Sequence, residues 1–401
     1  MFAIVAIITL IFAILYALLI LNFRKGWGRL PSFVPLSRVI GKKSLARKDA
    51  KALSEISESD LSFSIIISAR NEAPNIKDCL GDIIAQDYLS QNFEIIVVDD
   101  FSEDETATVI EQFATENPGF NMHLIKMSDQ PVKEYNSFKK AAITLAIGES
   151  RNKWIITSDA DCMRGPKWLA TIAAFIEENQ AVMVSAPVCL NVSDNFFDRA
   201  QSLEFMGLVG IGGASIALKN PNMCNGANLI YKKDAFLEVK GFEGNNEIAS
   251  GDDEFLMHKM FSKWPDKIFF LKNPEAIVYT KPETDLSSFI QQRKRWVSKS
   301  RKYSNKNITA VLSGAWLFHL MLLICLVAGI FDWKYLVVFC IAFGLKLMAE
   351  YTFLKKVSDF FNREKLLGIL IPAAFLYIFY VLFIGIYGNF GGYKWKGRRV
   401  I

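Results

Sequence analysis

The chain has 401 residues, enough for two or three folded units. Hydrophobic residues make up 51% against 22% charged, and mean hydropathy is +0.21, which excludes a disordered chain and points to a membrane protein. The 46 Lys and Arg against 41 Asp and Glu leave a net charge of +5, too small an excess for a nucleic-acid binder unless it is concentrated. It is concentrated, but beside the first apolar segment.

Residues 1–23 carry no Asp, Glu, Lys or Arg, long enough to cross a hydrocarbon core of ~30 Å, and the run ends in Asn22-Phe23-Arg24-Lys25 rather than a small-residue cleavage site. This reads as an N-terminal transmembrane anchor. The basic linker 24–62 follows; from Arg24 to Lys51 it carries Arg24, Lys25, Arg29, Arg38, Lys42, Lys43, Arg47, Lys48 and Lys51 against Asp49, which places it on the cytoplasmic side among anionic head groups. From Ser54 to Ser62 it turns polar.

Residues 63–284 alternate short apolar runs with helical patterns. Strands are expected over Phe63–Ile67, Phe93–Val98, Met122–Ile125, Trp154–Thr157 and Val182–Ser185, and helices over Ala73–Gln86, Glu105–Glu116, Ser137–Ile147 and Lys167–Glu178. Continuously apolar strands separated by helices predict a mainly parallel α/β sheet covered on both faces. A basic amphipathic stretch, 285–304, leads into apolar segments 308–331, 335–354 and 366–388, then a basic tail, 389–401. Lys346 and Glu350, four apart within the second, are expected to pair with each other. Three crossings after a cytoplasmic domain would leave the tail outside, so one segment is a candidate for re-entry.

The six cysteines form no CxxC pair, and the three histidines have no HExxH spacing, so disulfide, zinc and His-based chemistry have little material. Carboxylates remain. Ligands of an open parallel sheet bind beyond the C-terminal strand ends, where this chain places Asp99-Asp100 and Asp159-Ala160-Asp161. Residues two apart on extended chain point the same way, so Asp159 and Asp161 suit a hard divalent cation bridging carboxylate and phosphate oxygens. Such acids also cap helices, but two motifs in one sheet favour a site. After the first strand stands Ser68-Ala69-Arg70-Asn71-Glu72, with no glycine-rich phosphate cradle. Gly251-Asp252-Asp253-Glu254 opens a further helical pattern. In Gln292-Arg293-Lys294-Arg295-Trp296, helical spacing puts Gln292, Arg295 and Trp296 on one face, a planar cation and an indole together. Arg293, Lys294, Lys299, Arg301 and Lys302 are assigned to lipid head groups.

Taken in order from Ile65 to Trp296, these motifs resemble the inverting glycosyltransferases of family 2, with the GT-A fold, and especially the membrane-bound group of cellulose, hyaluronan and poly-N-acetylglucosamine synthases. The resemblance implies that Ala69, Asn71, Glu72 and Asp100 line the nucleotide pocket and that Lys140 lies near the diphosphate. It makes Asp159 and Asp161 the metal-binding DxD, for Mg²⁺ or Mn²⁺, with Asp159 also at the nucleotide sugar. Gly226 and Asn228 floor the acceptor site, Asp253 is the catalytic base with Asp252 where the family more often has Glu, and Gln292, Arg295 and Trp296 form the QxxRW motif for acceptor and diphosphate.

The function so implied is transfer of a sugar from a UDP-sugar or related donor to a growing polysaccharide or membrane glycolipid, at the plasma membrane with the catalytic domain cytoplasmic. Few spans favour single transfer to a lipid, as ceramide-glucosyltransferase-like enzymes perform, and a polymer exit path would need a homo-oligomer or a partner subunit. An inactive nucleotide- or glycan-binding scaffold is the non-enzyme alternative. Its complete acidic motifs argue against it.

Overall fold

The computed structural model describes residues 1–35, 61–131, 137–245, 250–299 and 306–400, without the side chains of Lys394, Trp395, Arg399 and Val400. The basic positions from Arg38 to Lys51, the polar stretch beyond them up to residue 60, Arg301 and Lys302 lie outside the described residues.

The chain folds as two compact units. One consists of Leu30–Cys189 and Ile216–Lys281 and is α/β. Its strands are β1 (Phe63–Ala69), β2 (Phe93–Asp99), β3 (Asn121–Lys126), β4 (Trp154–Asp159), β5 (Met163–Arg164), β6 (Met183–Ser185), β7 (Val188–Leu190), β8 (Leu229–Lys232), β9 (Ile268–Phe270) and β10 (Val278–Thr280). The main sheet has the order β3-β2-β1-β4-β8-β6-β9, parallel except for β8, and a smaller sheet runs β5-β10-β7. Ile65, Ile66, Ile67, Ile95, Ile96, Val97 and Val98 are all buried. Helices on both faces cover them, which is why β1 and β2 read as unbroken apolar runs rather than alternating ones.

The helices of the first half are α2 (Ile76–Ile84), α3 (Thr106–Glu116), α4 (Phe138–Glu149) and α5 (Trp168–Asn179). Helix α2 begins three residues later than its pattern suggests. The Glu72 carbonyl accepts the Asn75 and Ile76 N–H groups, and Pro74 sits within the turn so formed.

The other unit consists of Met1–Arg29, Leu190–Ser215 and Pro282–Ile401. It is built on α1 (Phe2–Arg29) and most of α6 (Phe196–Ala217). The α/β unit then contributes α7 (Lys233–Glu238) and α8 (Asp252–Lys263), after which the second unit resumes with α9 (Leu286–Ser298), α10 (Lys306–Ala328), α11 (Trp333–Phe361), α12 (Leu370–Tyr387) and the hairpin β11–β12 (Tyr393–Trp395, Arg398–Val400). Among the described residues, four helical stretches are long and apolar enough to cross a membrane: Phe2–Arg29, Lys306–Ala328, Trp333–Phe361 and Glu364–Tyr387.

Helix α1 lies parallel to α11. Phe2 meets Tyr335 with ring centroids 5.1 Å apart, the Tyr16 hydroxyl donates to Glu350 at 2.6 Å, and Trp27 Nε1 donates to the Lys356 carbonyl. Lys346 pairs with Glu350 at 2.8 Å. Helix α6 has no counterpart in the elements expected from sequence, because Gly207, Gly210, Gly212 and Gly213 depress its helical signal. Packing reverses that penalty: a Cβ on Gly210 would lie 2.7 Å from the Val357 side chain, so glycine lets α6 close on α11. Strand β11 packs on α9 with Tyr393 buried, and Gly388 sits against Val297.

Candidate active site

In the α/β unit the candidate residues sit on the loops that leave β1, β2 and β4 and on the start of α8. Strand β1 ends at Ala69, whose carbonyl accepts the Asp100 N–H at 2.8 Å. Arg70, buried, donates to the Asp100 and Phe101 carbonyls and pairs with Glu103 at 2.7 Å. Asn71 holds φ +51°, a left-handed conformation that Asn tolerates better than most residues. Its N–H donates to Ser102 Oγ, and its Oδ1 accepts the Glu103 N–H at 2.8 Å. Glu72 donates its N–H to Thr106 Oγ1 and accepts from Asn75 at 2.7 Å. The loops after β1 and β2 are therefore clasped together at the sheet edge. Ala69, Glu72 and Asp100 are buried within the clasp, and Asn71 is half-buried. Arg70, the residue that does most of the clasping, was not singled out by sequence reasoning although it stands between two that were.

Asp159 ends β4, and Asp161 follows on the turn into β5. The ligand atoms of Asp159, Asp161 and Cys162 all lie within 4.8 Å of one another. Thr280 Oγ1 donates to Asp161 Oδ2 at 3.0 Å, and Cys162 Sγ donates to Asp161 Oδ1 at 3.8 Å. Burial first, then the Asp161 and Asp159 charges, push the Cys162 thiol well above its ordinary pKa. Two of the three donors on offer are carboxylate oxygens, which fit a hard cation of the Mg²⁺ or Mn²⁺ kind.

Gly251, at φ +79°, turns the chain into α8, whose first turn carries Asp252, Asp253 and Glu254 against the positive end of the helix dipole. Asp253 is held at both oxygens: Oδ2 accepts the Gly226 N–H at 3.0 Å and Oδ1 the Glu254 N–H at 2.8 Å. A Cβ on Gly226 would lie 3.3 Å from Asp252 Oδ2, so the residue at 226 must be small for the loop to approach. Thr157 Oγ1 fixes the same glycine by its carbonyl at 2.7 Å.

One lysine joins the two acidic groups. Lys139 Nζ lies 2.7 Å from Asp159 Oδ1 and 3.8 Å from Asp252 Oδ2. The neighbouring Lys140, expected near the diphosphate, points elsewhere: it is buried, donates to the Asn245 carbonyl at 2.8 Å and lies over the Phe255 ring. Asn228 is also interior. Its side chain accepts from Trp168 Nε1 and donates to the Pro187 and Ala276 carbonyls, which spends its bonding capacity on the fold. The geometry therefore gathers Asp159, Asp161, Asp252, Asp253, Gly226 and Lys139, with Asn228 behind them as support.

Gln292, Arg295 and Trp296 belong to the other unit, on α9. Gln292 Nε2 donates to Glu283 at 2.6 Å. Of the residues assigned to lipid head groups, Arg293, Lys294 and Lys299 turn inward. Arg293 pairs with Glu204 at 2.7 Å, and Lys294 lies 4.0 Å over the Tyr387 ring. For Arg293 the counter-charge is itself largely buried, with the Glu204 side chain 11% exposed.

Comparison with known proteins bears on the family and the fold. The family described as Glycosyl transferase family 2 matches residues 64–239, and Glycosyl transferase family group 2 matches residues 154–384. The chain is 26% identical over 190 residues to the glycosyltransferase AglE of Haloferax volcanii, covering 47% of this chain and 58% of AglE. It is 22% identical over 303 residues to poly-beta-1,6-N-acetyl-D-glucosamine synthase of Staphylococcus epidermidis, covering 73% of this chain and 68% of the synthase. The structure superposes on the mannosyltransferase PcManGT of Pyrobaculum calidifontis, solved with GDP-Man and Mn²⁺, with a TM-score of 0.58 over 97% of this chain and 99% of that one at 15% identity. That likeness is one of fold, the GT-A arrangement of a mainly parallel sheet. A match running from β4 through α12 takes in more than half of the chain, and on it the chain belongs to the family 2 glycosyltransferases and is an enzyme of that group.

Proposed function

We propose that the protein is an inverting, metal-dependent glycosyltransferase that moves a sugar from a nucleotide-diphosphate donor, UDP-linked by preference, to a growing polysaccharide or membrane glycolipid. The observation that carries this reading is the convergence of Asp159, Asp161, Asp252 and Asp253 around Lys139 at the C-terminal end of the sheet. Asp159 and Asp161 would hold the cation, and the clasped loops of Ala69, Asn71, Glu72 and Asp100 would border the nucleotide. A divalent cation supplies charge neutralisation for the departing diphosphate.

Asp253 is the base of this reading. Single displacement needs one carboxylate to take the acceptor hydroxyl proton while the oxygen bonds to the anomeric carbon and the bond to the diphosphate oxygen breaks. Two backbone N–H groups hold the Asp253 carboxylate in one orientation, the fixed geometry such a base requires. Asp252 and Lys139 lie beside it, and Lys139 can exchange Asp159 for diphosphate oxygens. Gln292, Arg295 and Trp296 are assigned to the acceptor and the diphosphate. The four apolar helices fit anchorage in a plasma membrane, with the catalytic unit cytoplasmic and membrane lipids as neighbours.

The test is transfer by the detergent-solubilised protein from a panel of labelled UDP- and GDP-sugars with Mn²⁺, using Asp253→Asn as control. Label partitioning into organic solvent identifies a lipid acceptor, and label at a gel origin identifies a polymer. Absence of Asp253-dependent transfer or hydrolysis from every donor refutes the reading and leaves a nucleotide- or glycan-binding scaffold.

A further inference from the structure

On α9, Phe289, Arg293 and Trp296 fall at i, i+4 and i+7 and share one face. The Arg293 guanidinium lies 4.4 Å over the Phe289 ring and 4.1 Å over the Trp296 ring, a flat cation laid against two aromatic groups. Its orientation is fixed from α6. Glu204 Oε2 accepts both Nε, at 3.1 Å, and Nη2, at 2.7 Å, while Nη1 meets Gln292 Oε1. Phe205, next along α6, meets the Trp296 indole with centroids 6.1 Å apart. The side chains of Arg293 and Glu204 are 3% and 11% exposed, so the pair sits in a low-dielectric setting where removing one partner strands the other.

Apolar residues of equal volume would fill this space at less desolvation cost. What an ion pair adds is direction, because a doubly held guanidinium cannot rotate against the indole. We infer that Glu204 is a positioning residue: through Arg293 it fixes the plane of Trp296. The inference rests on the reading of Trp296 as an acceptor contact only for its functional consequence. It places one indole face against Arg293 and leaves sugar stacking to the rest of the ring.

The experiment labels the full chain in detergent with 5-fluorotryptophan and assigns the Trp296 fluorine signal by its loss in Trp296→Phe. In Glu204→Gln that signal should shift or broaden while the other seven hold their positions, and Arg293→Lys, which keeps the charge but not the plate, should act alike. Should Glu204→Gln fail to accumulate, Arg293→Lys carries the same readout. An unmoved Trp296 signal in the variants overturns the inference. Titration with a short β-linked N-acetylglucosamine oligosaccharide then tests the consequence: the wild-type Trp296 signal should move, and Glu204→Gln should need about tenfold more sugar. A wild-type signal that ignores the sugar removes sugar stacking from Trp296 and leaves the positioning role to be judged by the first readout.

Discussion

Two lysine–carboxylate pairs of almost equal length stand in opposite settings in this protein. Lys139–Asp159 spans 2.7 Å with the two side chains 19% and 40% exposed, whereas Lys346–Glu350 spans 2.8 Å with 1% and 14%. The second pair is closed: Tyr16 takes the other Glu350 oxygen, and Lys346 Nζ faces the Phe343 and Tyr377 rings. The first is shared, since Lys139 also reaches toward Asp252, and it stands beside Asp161 and Asp253 at a sheet edge. Distance alone does not separate a closed structural ion pair from one in a candidate site. Access to solvent and a surplus of one charge do.

The largest effect expected follows from removing the proposed base on the open side. Asp253→Asn keeps the shape and one acceptor for the Gly226 or Glu254 N–H, so the fold should survive while transfer falls by about 10²–10⁴. Initial rates with the donor identified by the panel, alongside nucleotide binding by calorimetry, check both halves. On the closed side the matching experiment is one of stability. Lys346→Met strands Glu350 among apolar helices and should cost about 3–5 kcal/mol, and Lys346→Met with Glu350→Leu should recover most of it. Unfolding in mixed micelles gives the comparison. A double variant as unstable as the single one would mean that the pair is more than a matched interior contact.

How far each side was legible from sequence follows from the same contrast. The strands β1, β2 and β4 announce themselves because burial on both faces demands an unbroken apolar run, and acids placed directly after them mark the sheet edge. β8, β9 and β10 are only three or four residues long, so even the apolar Ile268-Phe269-Phe270 of β9 is too short a run to stand out. α6 is hidden by its glycines, whose value lies in how closely α11 approaches. Within the site, the choice between Lys139 and Lys140 cannot be made from pattern, since each stands three or four positions before buried residues of α4: Ala142 and Ile143 for one, Ile143 for the other. Arg293 looks like part of a basic surface run because its partner, Glu204, is 89 residues away in the chain.

The two adjacent lysines sharpen the comparison further, at a smaller scale. Lys139→Met removes a positive charge from the place a cation would share with Asp159 and should tighten Mn²⁺ binding about tenfold, since like charges ~4 Å apart repel by ~1–4 kcal/mol between water and a protein surface. On the proposed function, donor turnover should nevertheless fall, because Lys139 would no longer be there to neutralise the diphosphate. Lys140→Met should leave Mn²⁺ affinity alone and lower stability instead, through the lost bond to the Asn245 carbonyl. Manganese titration followed by relaxation enhancement distinguishes them. Equal Mn²⁺ affinity in wild type and Lys139→Met would detach Lys139 from the metal site.

The smallest effect belongs to the rim of the open side and concerns pH. Asp104 ties the two clasped loops: Oδ2 accepts the Ala73 N–H and Oδ1 the Thr106 N–H, at 3.2 and 3.0 Å. Partial burial raises its pKa, but the hydrogen bonds from Thr106 and the backbone outweigh that and hold it below the ordinary 3.8. A depressed carboxylate contributes stability that is fully present above its unfolded value and is lost as pH falls through the folded one. The clasp should therefore loosen only below about pH 4, by less than ~1 kcal/mol given how exposed the group is. Asp104→Asn should lower the melting temperature slightly at neutral pH and converge with wild type in acid, whereas the difference between wild type and Lys346→Met should not close in that way. If the Asp104→Asn difference instead persists unchanged through the acid limb, the carboxylate's charge is irrelevant to the clasp and only its shape matters.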